Sequence, residues 1–200
     1  MSRATCCIAL VACLVLLPGQ VSSQSAPPDS QSSKTAKREQ AFKEFTEHVQ
    51  KYIELRKKLD ASLPALGPKE PQEKIVERTK ALAEKIQLAR ANAKRGDLFA
   101  PEIAEEFRHL IRSELQGAKG ANARKTIREG DPVKSLRLRV NDAYPEALPV
   151  TTVPPALLLK LPELPQEVAY RIVGRDLVLL DVDASLILDF IRKALPEHTL

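Results

Sequence analysis

The apolar residues of this chain change their spacing once, and that change limits the fold more than any other feature. Between residues 37 and 117 they recur every three or four positions, as on one face of an α-helix. After Pro132 they alternate with polar residues, as along a β-strand. Helices first and strands afterwards define an α+β chain rather than a series of βαβ units.

Phe42, Phe45, Val49, Tyr52 and Leu59 form the first helical seam, with Arg56 standing where an apolar residue is due. The remaining positions are mostly Lys, Glu and Gln, so residues 37–62 read as an amphipathic helix close to a heptad repeat. Leu63-Pro64-Ala65-Leu66-Gly67-Pro68 ends it. A second helix is expected over 70–95, with Pro71 in its first turn and a seam of Ile75, Thr79, Leu82, Ile86, Ala89 and Ala93. Two helices joined by a short Pro/Gly connection predict an antiparallel hairpin. Gly96 is placed as the helix stop. A third helix starts near Pro101, with an apolar face of Ile103, Phe107, Leu110, Ile111 and Leu115, and Gly117 ends it. Residues 118–131 then read as a basic, flexible loop.

Leu136, Leu138 and Val140 alternate with Ser135, Arg137 and Arg139, which predicts a half-buried strand with a basic outer face. The proline-dense stretch 144–165 must be largely extended, with one helical turn available at Pro154-Pro155. Residues 168–173, 177–182 and 186–191 predict three more strands, separated by turns at Gly174-Arg175-Asp176 and Asp183-Ala184-Ser185. Residues 177–180 are apolar on both faces, so their strand should be central and covered twice. One cover is expected to be a helix, the other the 157–164 segment or a partner chain. The predicted architecture is a helical hairpin plus a third helix, then a small antiparallel sheet of three or four strands.

Residues 1–23 have the form of a secretory signal peptide: Arg3, an apolar run over 6–17, a break at Pro18-Gly19 and small residues at Val21-Ser22-Ser23. The run is too short to span a bilayer, which needs about 20 apolar residues. A competing reading takes Leu10-Val11-Ala12-Cys13 as a lipobox with Cys13 lipidated. Cys6, Cys7 and Cys13 are the chain's 3 cysteines, so cleavage after Ser23 leaves none. Cys nucleophiles, Cys-ligated zinc and redox exchange are then excluded, and the chain must stand on its core without disulfides. With aromatics at 4% and no Trp, that core is expected to be aliphatic. Residues 24–36, rich in Ser, Gln and Pro, read as a disordered tether. Removing Arg3 lowers the formal net charge of +5 by one, a mild excess that falls short of a nucleic-acid footprint.

The C-terminal half resembles an uncharacterised family of secreted bacterial proteins. The likeness runs through Asn141-Asp142-Ala143-Tyr144-Pro145, Val153-Pro154-Pro155-Ala156-Leu157-Leu158 and Leu161-Pro162-Glu163-Leu164-Pro165. It continues through Tyr170-Arg171-Ile172-Val173-Gly174-Arg175-Asp176-Leu177, Leu180-Asp181-Val182 and Leu186-Ile187-Leu188-Asp189-Phe190-Ile191. The stretch Asp97-Leu98-Phe99-Ala100-Pro101-Glu102 looks like part of the same pattern. This resemblance implies an exported protein and no known activity. The closing hairpin is also similar to that of RcnB-type periplasmic nickel/cobalt-homeostasis proteins, a likeness of shape from which no metal ligand carries over.

Few residues invite chemistry. Glu44/His48 and Glu105/His109 have the i, i+4 spacing that presents two groups on one helix face, but no third ligand is evident, and His198 stands near the C-terminus. Asp176, Asp181, Asp183 and Asp189 crowd the C-terminal hairpins, where turn formation and solvent exposure explain them. A general acid–base pair of Asp181 and Asp183 is the hydrolase alternative. Lys119, Arg124, Lys125 and Arg128, with Arg137 and Arg139, form the densest basic stretch and a candidate site for anionic lipid or polymer. Nucleophile elbows, phosphate-binding glycine loops and zinc-helix motifs are absent from the sequence.

The expectation is therefore a periplasmic or secreted, non-catalytic protein that needs no cofactor. It would bind or scaffold an envelope protein, or itself, through the helical hairpin. Phe42, Phe45, Val49, Tyr52, Ile75, Leu82 and Ile86 would supply core and contact surface together. A metal-responsive protein using Glu105, His109 and the Asp cluster is the alternative, and anionic-lipid binding through the basic loop is a second one.

Overall fold

A computed structural model of the chain describes residues 29–130, 137–145 and 153–199. The leader, Cys13 and residues 24–28 of the expected tether lie outside them. Helix α1 runs Asp29–Ala61 and so begins inside the segment expected to be disordered. From Asp29 to Ala61 there is neither Gly nor Pro, and once nucleated at the Phe42–Tyr52 seam a helix propagates until a breaker stops it.

Helix α2 spans Gln72–Ala89, shorter than its expected 70–95. It stops because Asn141, at φ +70°, sends its Nδ2 to the carbonyls of Gln87 and Arg90 at 2.9 and 3.2 Å and closes the helix end from outside. Arg78 pairs with Asp60 at 2.7 Å near the connection, and Arg90 lies 5.3 Å over the Tyr52 ring at the far end, so α1 and α2 run antiparallel. Helix α3, Pro101–Leu115, has the expected proline in its first turn and buries the expected face.

Residues 118–131, expected as a flexible loop, contain a fourth helix, α4, over Ala121–Glu129. Ile127 is its buried anchor, and Gly120 lets the backbone approach α3 so closely that a Cβ there would stand 2.4 Å from the carbonyl carbon of Leu115. A single turn, α5, occupies Pro155–Leu158 as the proline pair implies.

Strands β1 (Val168–Val173), β2 (Asp176–Asp181) and β3 (Leu186–Ile191) form one antiparallel sheet in the order β1-β2-β3. The fourth strand expected over 136–140 is not formed by residues 137–140; Leu136 lies outside the described residues. What the segment contributes is a bridge between Ala143 and Leu186, with Asn141 N–H donating to Ile187 O and Tyr144 N–H to Ser185 O. The left-handed turn at Asn141 ends the extended run before it can align with β3.

The sheet is covered on both faces, as the sequence of β2 requires. Val168, Tyr170, Ile172, Leu177, Leu179, Leu186 and Leu188 share one core with α1, α2, α3 and α4. Val173, Val178, Leu180, Ile187 and Phe190 pack on the opposite face with Leu138 and Tyr144. The second cover is therefore the 138–144 segment; Leu157 and Leu161, expected there, join the helix-side core. That core is aromatic at its centre rather than purely aliphatic. Phe45 stacks on Phe99 at 5.0 Å and meets Phe107 edge-on at 5.0 Å, with Phe42 and Tyr170 completing the cluster.

Candidate functional site

Two buried carboxylates on the helix-facing side of the sheet hold the two halves of the fold together. Asp181, at the end of β2, is fully buried. Its Oδ2 accepts the Tyr52 hydroxyl at 2.5 Å and Arg56 Nε at 2.9 Å, and its Oδ1 accepts the Ala184 amide at 2.8 Å. The same guanidinium reaches Asp183 through Nη2. Arg56 thus fills its place in the seam because its charge is matched on the sheet. Burial opposes its ionisation, but Asp181 and Asp183 outweigh burial and raise its pKa above the ordinary value. Burial, reinforced by Asp181, pushes the Tyr52 phenol well above its usual range.

Asp189 is placed by a β-bulge. Leu179 pairs with Asp189 while Leu180 pairs with Ile187, so Leu188 is the extra residue and both Leu188 and Asp189 face the helices. Asp189 is fully buried and accepts the amides of Gly96, Leu98 and Phe99 at 2.8–3.1 Å, together with its neighbour Phe190. Gly96, at φ +96°, is needed to aim that loop at the carboxylate rather than to stop α2. Turn formation and solvent exposure thus describe Asp183 and, in part, Asp176; Asp181 also closes its turn through the Ala184 amide, but it and Asp189 are buried. Every oxygen of Asp181 and Asp189 is held by protein donors in the interior, an arrangement that fixes geometry rather than presenting an acid or base to a substrate.

Most of the hairpin seam is used by the core. Phe45, Val49, Tyr52, Leu82 and Ile86 are buried in the helix-side core, and Phe42 packs against it. Of the seam residues of α2, Ile75, at 42%, and Ala89 are exposed. The basic stretch is likewise divided. Arg124 turns inward to the carbonyls of Leu115 and Gly117, and Lys125 pairs with Glu129 at 3.6 Å. Lys119 and Arg128 are exposed, whereas Arg137 and Arg139 flank Leu138 on the opposite side of the sheet from Ile127.

His109 lies 3.5 Å from Glu105, and His48 Nδ1–H donates to Leu98 O at 3.2 Å. Among the described residues no group of three or more His, Cys, Asp or Glu side chains is placed to hold a metal ion, and no helix is long and apolar enough to cross a membrane.

The surface that stands out is one that periodicity did not single out. A groove of about 610 Å³ runs beside β1, lined by Leu158, Leu159, Leu161, Leu164, Val168 and Arg171. Leu158 is 47% exposed and Leu159 85%, which makes Leu159 the most exposed large apolar side chain described. β1 is an edge strand, and the bond from Val182 N–H to Glu167 O sets the phase of its ladder. Ala169, Arg171 and Val173 turn their backbone groups toward β2; Val168, Tyr170 and Ile172 turn theirs outward. The Val168 amide is taken by Pro165 O, and Tyr170 O accepts Arg171 Nη1 at 2.9 Å. The amides of Tyr170 and Ile172 point away from β2, but the two residues are 3% and 1% exposed, so this side of the strand is covered rather than open. The leucine run and the prolines before β1 were the available sequence signal: apolar residues that the sheet had no room to bury.

Compared with protein-family models, with curated proteins and with solved structures, the chain gives no match. Its functional reading rests on the geometry.

Proposed function

We propose that this chain is an exported, non-catalytic envelope protein that binds a partner polypeptide at the apolar groove beside β1. The observation that carries the reading is the pair of exposed leucines, Leu158 and Leu159, on the rim of that groove. Neighbouring apolar side chains left in water beside a groove gain free energy when a partner covers them. Export rests on the composition of residues 1–23. The helical hairpin, first read as the contact surface, becomes the platform that holds the sheet.

Of the alternatives, a metal-responsive protein would need a third ligand beside Glu105 and His109. An anion binder would need the basic residues on one face. The described geometry supplies neither.

The test is photo-crosslinking in intact cells from position 159, with position 75 as the control. A discrete adduct from 159 that disappears in Leu158→Asp supports the reading. No adduct, or the same adduct from 75, contradicts it. Intact-mass analysis of the exported chain checks the leader: cleavage after Ser23 is expected, and a lipid on Cys13 would replace that expectation.

A further inference from the structure

We infer that the cleft between the start of α1 and the C-terminal half of α3 binds a phosphate monoester through Lys34, Lys37 and Arg38. This cleft shares no residue with the groove beside β1, and the inference stands independently of the reading above.

The sequence of α1 sets the cleft up. Traced back from Phe45 by turns of the helix, the face that packs on the core passes through Ala41 and Phe42 and then reaches Arg38, Lys37 and Lys34. Where apolar residues would continue the seam, three cations stand instead. Solvated lysines ordinarily occupy the outer face of an amphipathic helix. These line a cleft of about 470 Å³, together with Glu106, His109, Leu110 and Ser113 of α3. They are not the cations of residues 119–139, which the fold disperses.

Their charge is incompletely matched within the protein. Lys37 pairs with Glu106 at 3.4 Å, whereas among the described residues Lys34 and Arg38 have no carboxylate at ion-pair distance. Three cations against one carboxylate leave the cleft an excess of two positive charges. Lys34 and Arg38 also stand four residues apart on one helix, a spacing at which like charges repel. On the other wall, His109 lies 3.5 Å from Glu105, which Arg108 also holds. The hydroxyls of Thr35 and Ser113 donate to the carbonyls of Gln31 and Leu110, so the ammonium and guanidinium groups are left as the donors.

Charge then names the ligand class. A phosphate monoester carries about two negative charges near pH 7 and three strong acceptor oxygens, which matches the excess. Lys and Arg together suit it, one as a point charge and the other as a planar fork. A carboxylate or a phosphodiester brings a single charge and leaves one cation unmatched. The cleft is larger than a phosphate group, and the organic part of the ester has room beside Leu110, its apolar wall.

Two assays on the exported chain separate the sources of such a group: calorimetric titration with glycerol 3-phosphate, and sedimentation with phosphatidylcholine vesicles carrying phosphatidic acid. Binding of glycerol 3-phosphate assigns the cleft to soluble esters, and binding of the vesicles alone assigns it to a lipid headgroup. In either case the Lys34→Gln, Arg38→Gln double variant should weaken binding about tenfold or more, the scale of a lost charge-assisted hydrogen bond. The Lys119→Gln, Arg128→Gln double variant should leave it unchanged. All four side chains are exposed, so neither variant disturbs the core. Absence of binding in both assays, or equal weakening by the two double variants, overturns the site. Phosphatidylglycerol vesicles held as tightly as phosphatidic acid vesicles overturn the choice of a monoester.

Discussion

Tyr52 and Asp181 stand 129 residues apart in the chain and share a hydrogen bond of 2.5 Å in the interior. One belongs to the first helix and the other to the end of the central strand, so the bond joins the two halves of the fold. With Arg56 on the same oxygen, it forms a buried charge pair whose members are each fully partnered. Removing one member of such a pair leaves the other unmatched. Asp181→Ala should lower stability by about 3–5 kcal/mol and Tyr52→Phe by about 1.5–3 kcal/mol, read as shifts of the urea midpoint. Equal and small losses for both would contradict the network.

Asp189 gathers the amides of Gly96, Leu98 and Phe99, and no water has access to replace it. Each amide left unsatisfied costs about 1–3 kcal/mol, so Asp189→Ala should destabilise more than Asp189→Asn, which keeps one acceptor oxygen. Hydrogen exchange at Gly96, Leu98 and Phe99 should accelerate in Asp189→Ala ahead of exchange in β2. Uniform acceleration across the molecule would contradict a local role.

Tyr52 and Tyr170 are both held above the ordinary phenol value of 10.0 by burial, so they stay protonated while unfolded tyrosines ionise. Their contribution is fully present below about pH 10 and is lost as pH rises further, by about 1.4 kcal/mol per pH unit for each group. Guanidinium groups remain charged across this range. The urea midpoint should hold from pH 7 to 9 and fall from pH 10 to 11. A Tyr52→Phe, Tyr170→Phe double variant should flatten that fall.

Gly120 has no room for a methyl group, because the carbonyl carbon of Leu115 would lie 2.4 Å from it and is backbone that cannot turn aside. Gly120→Ala should cost about 1–3 kcal/mol, whereas Gly117→Ala meets no neighbour and suffers only from its φ of +63°. Thermal unfolding of the two variants separates crowding from backbone strain.

The change of hydrophobic period made the α+β class, the three strands and the cores of α1, α2 and α3 readable from the residues alone. Arg56 in an apolar seam was a visible sign of a buried partner, but nothing local in the sequence pairs it with Asp181. Asp189 reads as a turn or surface residue because its burial depends on a bulge, which shifts one side chain without altering composition. α4 was hidden by the glycines that flank it and by its positive charges, which mimic a loop until Ile127 finds the core. The hairpin seam was read as core and contact surface together, and most of it is core, since periodicity reports that a face is covered and not by what. The groove beside β1 could not be seen before the 153–165 segment was placed against that strand.

The central claim is that the groove beside β1 receives a partner polypeptide, and photo-crosslinking in intact cells from position 159 tests it most directly. Leu159 is 85% exposed on the groove's rim. The account predicts a discrete adduct from 159 that Leu158→Asp removes. No adduct, or the same adduct from position 75, would contradict the account.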